Sequence, residues 1–290
     1  MPNGTKKSRK KGFTLTEILI SIVILGLIMG AVLGLFFAIV KHLEQSNDIT
    51  TAQQRGEMVL TALGPKILAA GVGMPKSASF DQFSTLASPE NWSAAVKVSG
   101  DKELTVVYSE PTDAIVSGEK SFSSTDSVVS VNLRGTIPPN TIKKANKQAA
   151  GWVVFPATGV AMEVIDDSPQ TSPLELKPYA DGKVYANDHL HLVRVAQAKV
   201  DNENWFLLND AKPLVTKRIV EGIADIRFYL DSSTKPTQLT VKVLARGSTR
   251  HDTEITTPKS LSDDWTQPID SENLHYRLKV VQRTWRLRNL

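Results

Sequence analysis

The sequence predicts an α+β chain: a long N-terminal helix, apolar enough in its first half to span a membrane, packed on an antiparallel β-sheet head. Three observations predict it. Ile18 to Val40 is a run of 23 residues without a charge. Apolar residues at helical spacing continue beyond that run. From about Lys76 the apolar period falls to two, with Gly-, Pro- and Ser-rich joints between short alternating stretches.

Composition narrows the class. The 290 residues are 41% apolar and 22% charged, with no cysteine, which excludes disordered, collagen-like and disulfide-stapled chains and any thiolate chemistry. The formal charge is +4, but Met1 to Gly12 holds five bases (Lys6, Lys7, Arg9, Lys10, Lys11) and no acid, so the remainder carries −1. Nucleic acid is therefore not an expected partner.

As a helix, Ile18 to Val40 rises about 35 Å, enough for a hydrocarbon core of about 30 Å. The bases precede it and only Lys41 immediately follows, so the positive-inside bias places Met1 in the cytoplasm. The run is too long for a cleavable secretory signal, and no small-residue cleavage site follows it. An uncleaved anchor explains all of this except Glu17. Phe13 and Leu15 extend the apolar run to its N-terminal side, and a carboxylate inside hydrocarbon is unfavourable unless a partner neutralises it.

The stretch Lys10-Lys11-Gly12-Phe13-Thr14-Leu15-Thr16-Glu17-Ile18-Leu19-Ile20 resembles the type IV prepilin cleavage and methylation motif. The resemblance implies a pilin-like fold, a cut after Gly12 by the prepilin peptidase, N-methylation of Phe13, and a mature chain of 278 of the 290 residues. It also implies an assembly role for Glu17, whose carboxylate would pair with the cationic Phe13 amine of a neighbouring subunit. Gly26, Gly30, Gly34 and Ala38 form a small-residue ridge that allows close helix packing. Glycine is also simply frequent in membrane helices. Many pilins carry a proline where Gly34 stands.

Beyond Val40, Ile49, Ala52, Gly56, Val59, Leu63 and Ile67 make an apolar stripe that should pack under a head, with Gly64-Pro65 expected to end or kink the helix. Strand alternation is read at Leu104-Val106-Tyr108, Val129-Val131-Leu133, Ile226-Phe228-Leu230, Leu239-Val241-Val243 and Tyr276-Leu278-Val280. Ser109 to Ser127 and Lys143 to Lys147 read as long surface loops. The expected organisation is a cytoplasmic leader over 1–12, an N-terminal helix over 13–75 with its membrane segment at 18–40, and a β-rich head over 76–290.

Leu68 to Pro75 and the closing Arg283-Thr284-Trp285-Arg286-Leu287-Arg288-Asn289 resemble PilW-like minor pilins. Ile219 to Asp231 is similar to a strand shared by PilW-like pilins and GspJ-like pseudopilins. The resemblance implies a non-enzymatic minor pilin that helps initiate or cap a type IV pilus. Its implied partners are the prepilin peptidase, the major and other minor pilins, the inner membrane and a tip adhesin. Its implied location is the inner membrane as a single-pass protein, then the periplasm and cell-surface pilus. A GspJ-like pseudopilin of a type II secretion system and a membrane-anchored binding protein that never polymerises are the alternatives.

No motif for catalysis or a cofactor occurs, and no catalytic, cofactor or metal residue is expected. His189 and His191 beside Asp188 could form a metal site, but a solvated strand face with Leu190 and Leu192 turned inward explains them as well. Acidic turns at Asp166-Asp167, Asp201 to Asn204 and Asp263-Asp264 lack calcium-loop spacing. The bases Arg277, Lys279, Arg283, Arg286 and Arg288 read as one exposed face of a terminal strand.

Overall fold

Helix α1 runs from Leu15 to Leu68. The computed structural model describes residues 14–74, 94–137, 151–157, 159–165, 172–210, 215–233, 235–257, 261, 265 and 269–288. The chain divides into two compact units, Met1–Asn47 and Asp48–Leu290, and α1 contributes residues to both.

In the first unit every residue from Thr14 to Glu44 is exposed. That set includes Leu19, Ile24, Leu27, Phe36 and Phe37, each more than half accessible. A helix apolar on all sides has no solvated face, and suits lipid or an apolar bundle better than water. Gly34 is helical like its neighbours.

In the second unit strands follow in this order: β1 Val96–Ser99, β2 Glu103–Val116, β3 Lys120–Phe122, β4 Val129–Val131, β5 Leu133–Arg134, β6 Trp152–Phe155, β7 Val160–Val164 and β8 Leu174–Pro178. Then come β9 Gly182–Val184, β10 His189–Val200, β11 Trp205–Asp210, β12 Val215–Glu221, β13 Ile223–Leu230, β14 Gln238–Arg246, the short helix α2 Ser271–Leu274, and β15 Leu278–Arg286. All described pairings are antiparallel. A ten-stranded sheet is ordered β1-β2-β10-β6-β7-β8-β4, with β11, β12 and β5 branching from it. A second sheet is β13-β14-β15, and β3-β9 form a two-stranded ribbon.

The main core lies between α1 and the two larger sheets. Ala52, Val59, Leu60, Leu63 and Ile67 of α1 meet Leu104 and Val106 of β2, Ala196 and Ala198 of β10, Phe228, Val241, Val281 and Trp285. Each fully buried large apolar side chain contributes about 1.5–3 kcal/mol. Strands β2 and β10 continue past this core into a second one, where Leu190 and Leu192 join Phe155, Met162, Leu174 and Leu176. Arg194 is buried in β10 opposite Tyr108, with its Nε 2.9 Å from Glu110 Oε2. Lys66 of α1 donates to the Tyr108 hydroxyl at 2.7 Å.

Several sequence expectations need correction. The helix does not end at Gly64-Pro65 but runs through Pro65 to Leu68. The N–H that proline lacks would have met the carbonyl of Thr61, which is exposed. Ile49 is 44% exposed, and Asp48 is the buried residue of that turn. Its Oδ1 accepts from Ser248 Oγ and the Thr249 N–H, both at 3.1 Å, so hydrogen bonds replace apolar contact there.

Ser109 to Ser127 is not one surface loop, although residues 117–119 and 123–127 lie outside the strands. Ser109 to Val116 continue β2, paired with β10 across a register shift between His189 and His191, and residues 120–122 form β3. The polar side chains are absorbed by backbone: Ser109 donates to the Val72 carbonyl at 3.0 Å and Thr112 to the Leu190 carbonyl at 2.7 Å. Val129 to Leu133 is split between β4 and β5. Tyr276 precedes β15, and the residues of that strand buried against α1 are Val281 and Trp285, not Leu278 and Val280. Lys143 to Lys147 lie outside the described residues.

Candidate functional site at the start of the helix

Thr14 and Glu17 open α1 as a reciprocal cap. The Thr14 N–H and hydroxyl both donate to Glu17 Oε2, at 2.8 and 2.9 Å. The Glu17 N–H donates back to Thr14 Oγ1 at 3.3 Å. This is the capping-box arrangement, in which a Thr and a Glu three residues apart satisfy amides that the first helical turn leaves unpaired. The Thr-x-x-Glu spacing before an apolar run was the sequence feature that points to it, and the reading of Glu17 as a lone carboxylate overlooked it. Ser21, one turn along, donates its hydroxyl to the Glu17 carbonyl at 2.7 Å.

The segment therefore presents one carboxylate on an otherwise apolar, exposed stem. Among the described residues the next charge along the stem is Lys41. Gly12 and Phe13, with the basic residues before them, lie outside the described residues. A Cβ built on Gly26, Gly30 or Gly34 meets nothing within 4 Å. That ridge is open to an incoming surface.

The other sequence candidates are held by internal contacts. His191 Nδ1 lies 3.0 Å from Ser109 Oγ, whose hydroxyl is given to the Val72 carbonyl. Burial holds the His191 imidazole below its usual range, with His189 adding to the effect. Gly73, at φ +68°, is fitted against this pair: a Cβ there would sit 2.1 Å from Ser109 Oγ and 2.8 Å from His191 Nδ1. Asp188 accepts from the Ala157 N–H. Among the described residues no three His, Asp or Glu side chains are grouped to hold a metal.

Asp201 Oδ1 accepts from the N–H groups of Glu203 and Trp205, both at 2.9 Å, and its Oδ2 faces Arg218. It lines a polar cavity of about 550 Å³ with Lys102, Asn204, Asp225, Asp270 and Asn273. The acids there are committed too: Asp225 to Arg227, Trp265 and Lys102, and Asp270 to the cap of α2. Asp166-Asp167 and Asp263-Asp264 lie outside the described residues.

Among known proteins, the family described as the prokaryotic N-terminal methylation motif matches residues 7–33. No curated protein and no solved structure matches the chain. The matched segment takes in Gly12, Phe13, the Thr14–Glu17 cap and the first turns of the exposed apolar helix. That helix fits a single-pass membrane anchor. The motif implies processing by a prepilin peptidase and assembly with other pilins, and it marks structural precursors that are generally non-enzymatic. The chain is a type IV prepilin-like protein, a precursor of the pilin or pseudopilin kind.

Proposed function

We propose that the chain is a minor type IV pilin, a non-enzymatic subunit that is cleaved after Gly12, N-methylated on Phe13, and used to initiate or cap pilus assembly. In this reading residues 1–12 are the cytoplasmic leader, 13–75 the spine with its membrane segment at 18–40, and 76–290 the head. The observation that carries it is the methylation motif running from residue 7 into a helix whose first half leaves every apolar side chain uncovered. The charge bias of Met1 to Gly12 supports storage in the inner membrane with the N-terminus cytoplasmic.

Glu17 would leave Thr14 on assembly and pair with the Phe13 amine of a neighbouring subunit. The argument for an end position is head size. Subunits of the shaft repeat around a narrow bundle of spines, whereas this head carries three apolar clusters and fifteen strands among the described residues. A head of that bulk is best tolerated where nothing stacks above it, next to other minor pilins and a tip adhesin. The pattern over Ile219 to Asp231 keeps a GspJ-like pseudopilin as the second reading.

Quantitative mass spectrometry of sheared filaments tests the proposal. The expected result is a mature chain beginning at N-methylated Phe13, at a few copies per filament. An intact Met1 terminus in cells with active prepilin peptidase overturns the pilin reading. Copy numbers like the main pilin's make it a shaft subunit, and loss of secretion with normal pili on deletion makes it a pseudopilin.

A further inference from the structure

We infer that the outer edge of β15 is a docking site for an extended acidic strand from a different protein chain. The inference concerns the head alone and holds whichever machine the subunit joins.

The geometry starts from backbone parity. The Leu287 N–H donates to the Thr237 carbonyl and the Gly247 N–H to the Arg277 carbonyl, both at 2.8 Å. These two bonds bracket β15, whose register with β14 is continuous from Leu278↔Arg246 to Arg286↔Gln238. Antiparallel partners exchange bonds at every second residue. Odd-numbered residues from Arg277 to Leu287 therefore bond to β14. The N–H and C=O groups of Leu278, Val280, Gln282, Thr284 and Arg286 point away from it. Among the described residues β15 pairs with no strand but β14, and Gln282, Thr284 and Arg286 are exposed.

Soluble proteins blunt such edges with proline, bulges, brevity or charged side chains, and β15 has only the last. β15 has no proline, no glycine and no register shift over its nine residues. The other described edges of the two larger sheets differ: β12 is broken by a register shift against β11, and β5 has two residues. β1 and β4 have four and three residues. The outer side of β13 is broken by a register shift and bonded in part through the Phe228 N–H to the Asp101 carbonyl.

Charge selects the occupant. Arg277 to Arg288 contains five bases and no acid. Of the exposed ones, Arg283 is engaged by Glu57 at 2.8 Å. Lys279, Arg286 and Arg288 are exposed and meet no carboxylate at ion-pair distance among the described residues. A second copy pairing through β15 would set these bases against each other, and like charges across a strand pair are unfavourable. An acidic strand gains both the ladder and the complementary charge, the mode by which extended segments add to sheet edges. Nucleic acid would use the charge but not the ladder of outward amides.

The substitution that isolates the ladder is Gln282→Pro. The Gln282 N–H points away from β14, so proline there removes an outward donor and leaves the β14–β15 bonds intact. The full chain in detergent micelles is titrated with four probes: a nine-residue peptide alternating Val and Glu, its Val/Lys counterpart, an acidic peptide interrupted by prolines, and a 12-nucleotide single strand.

The Val/Glu peptide should bind, slow hydrogen exchange at Val280, Gln282 and Thr284, and lose at least ten-fold in affinity with Gln282→Pro. Arg286→Glu, which keeps the backbone edge, should also weaken it. The inference is overturned if the Val/Glu peptide fails to bind at millimolar concentration. It is equally overturned if the proline-interrupted peptide or the oligonucleotide binds as well and ignores Gln282→Pro, which means charge alone. Self-association of the chain that Gln282→Pro abolishes would assign the edge to a second copy instead.

Discussion

Gly56 is where α1 comes nearest to β15, and replacing it measures how closely helix and sheet are docked. A Cβ built on Gly56 lies 2.6 Å from Val281 Cγ2 and 2.8 Å from Val281 Cβ. Non-bonded carbons rest at about 3.5–4.0 Å, so Gly56→Ala forces a separation of roughly 1 Å. Rotating Val281 about χ1 moves Cγ2 but not Cβ, which is fixed to a strand paired with β14 along its whole length. Overpacking of this kind costs about 1–3 kcal/mol, against about 1 kcal/mol gained from replacing a helical glycine.

The expected net effect is a loss of about 1 kcal/mol, read from the denaturant midpoint of the full chain in detergent by tryptophan fluorescence. Gly64 supplies the internal control. There the added Cβ would meet Trp285 Nε1 at 3.7 Å, an ordinary contact, and Gly64→Ala should be neutral or mildly stabilising because Pro65 restrains part of the gain. Combining Gly56→Ala with Val281→Ala should recover part of the loss, as contacting pairs couple by roughly 0.5–3 kcal/mol. If Gly56→Ala is as stable as Gly64→Ala, the helix does not approach β15 as described, and the reasoning fails.

The two roles available to Glu17 separate by substitution. Glu17→Gln keeps an acceptor for the Thr14 cap but removes the charge, whereas Thr14→Ala keeps the charge and removes the hydroxyl's bonds of the cap. Charge pairing predicts poor incorporation of Glu17→Gln into filaments and near-normal incorporation of Thr14→Ala, both still processed; the reverse order, by filament-to-membrane ratio, would assign Glu17 to capping alone. Asp231 should titrate at about pH 2, because the Thr237 hydroxyl and the Gln238 N–H bond its ionised form. The folded value lies below the 3.8 of an ordinary aspartate, so the contribution of this turn is complete above pH 4 and disappears as pH falls towards 2. Carboxyl NMR through that window checks it, and titration near pH 4 would contradict the turn geometry.

Much of the helix Leu15–Leu68 and the motif over residues 7–33 was legible in the sequence, because the constraints there are local. An uncharged run of helical length, the bases before it, and a Gly-Phe junction followed by Glu17 are all adjacent in the chain. The stripe Ala52, Gly56, Val59, Leu63 and Ile67 follows helical spacing and is buried as its period requires. Strands with one apolar face, such as β13 and β14, were legible for the same reason. The tertiary structure decided what depends on distant partners. Asp48 displaced Ile49 from the core because a turn 200 residues away supplies its hydrogen bonds. Ser109 to Val116 became strand because β10 lies alongside, and its carbonyls and the post-helix turn accept the polar side chains that composition assigns to a loop. The face of β15 that packs inward was set by the gap above Gly56 and Gly64, which admits Val281 and Trp285 and leaves Leu278 and Val280 on the other side. Periodicity reports that a segment has two faces; which one is buried depends on what the rest of the chain brings against it.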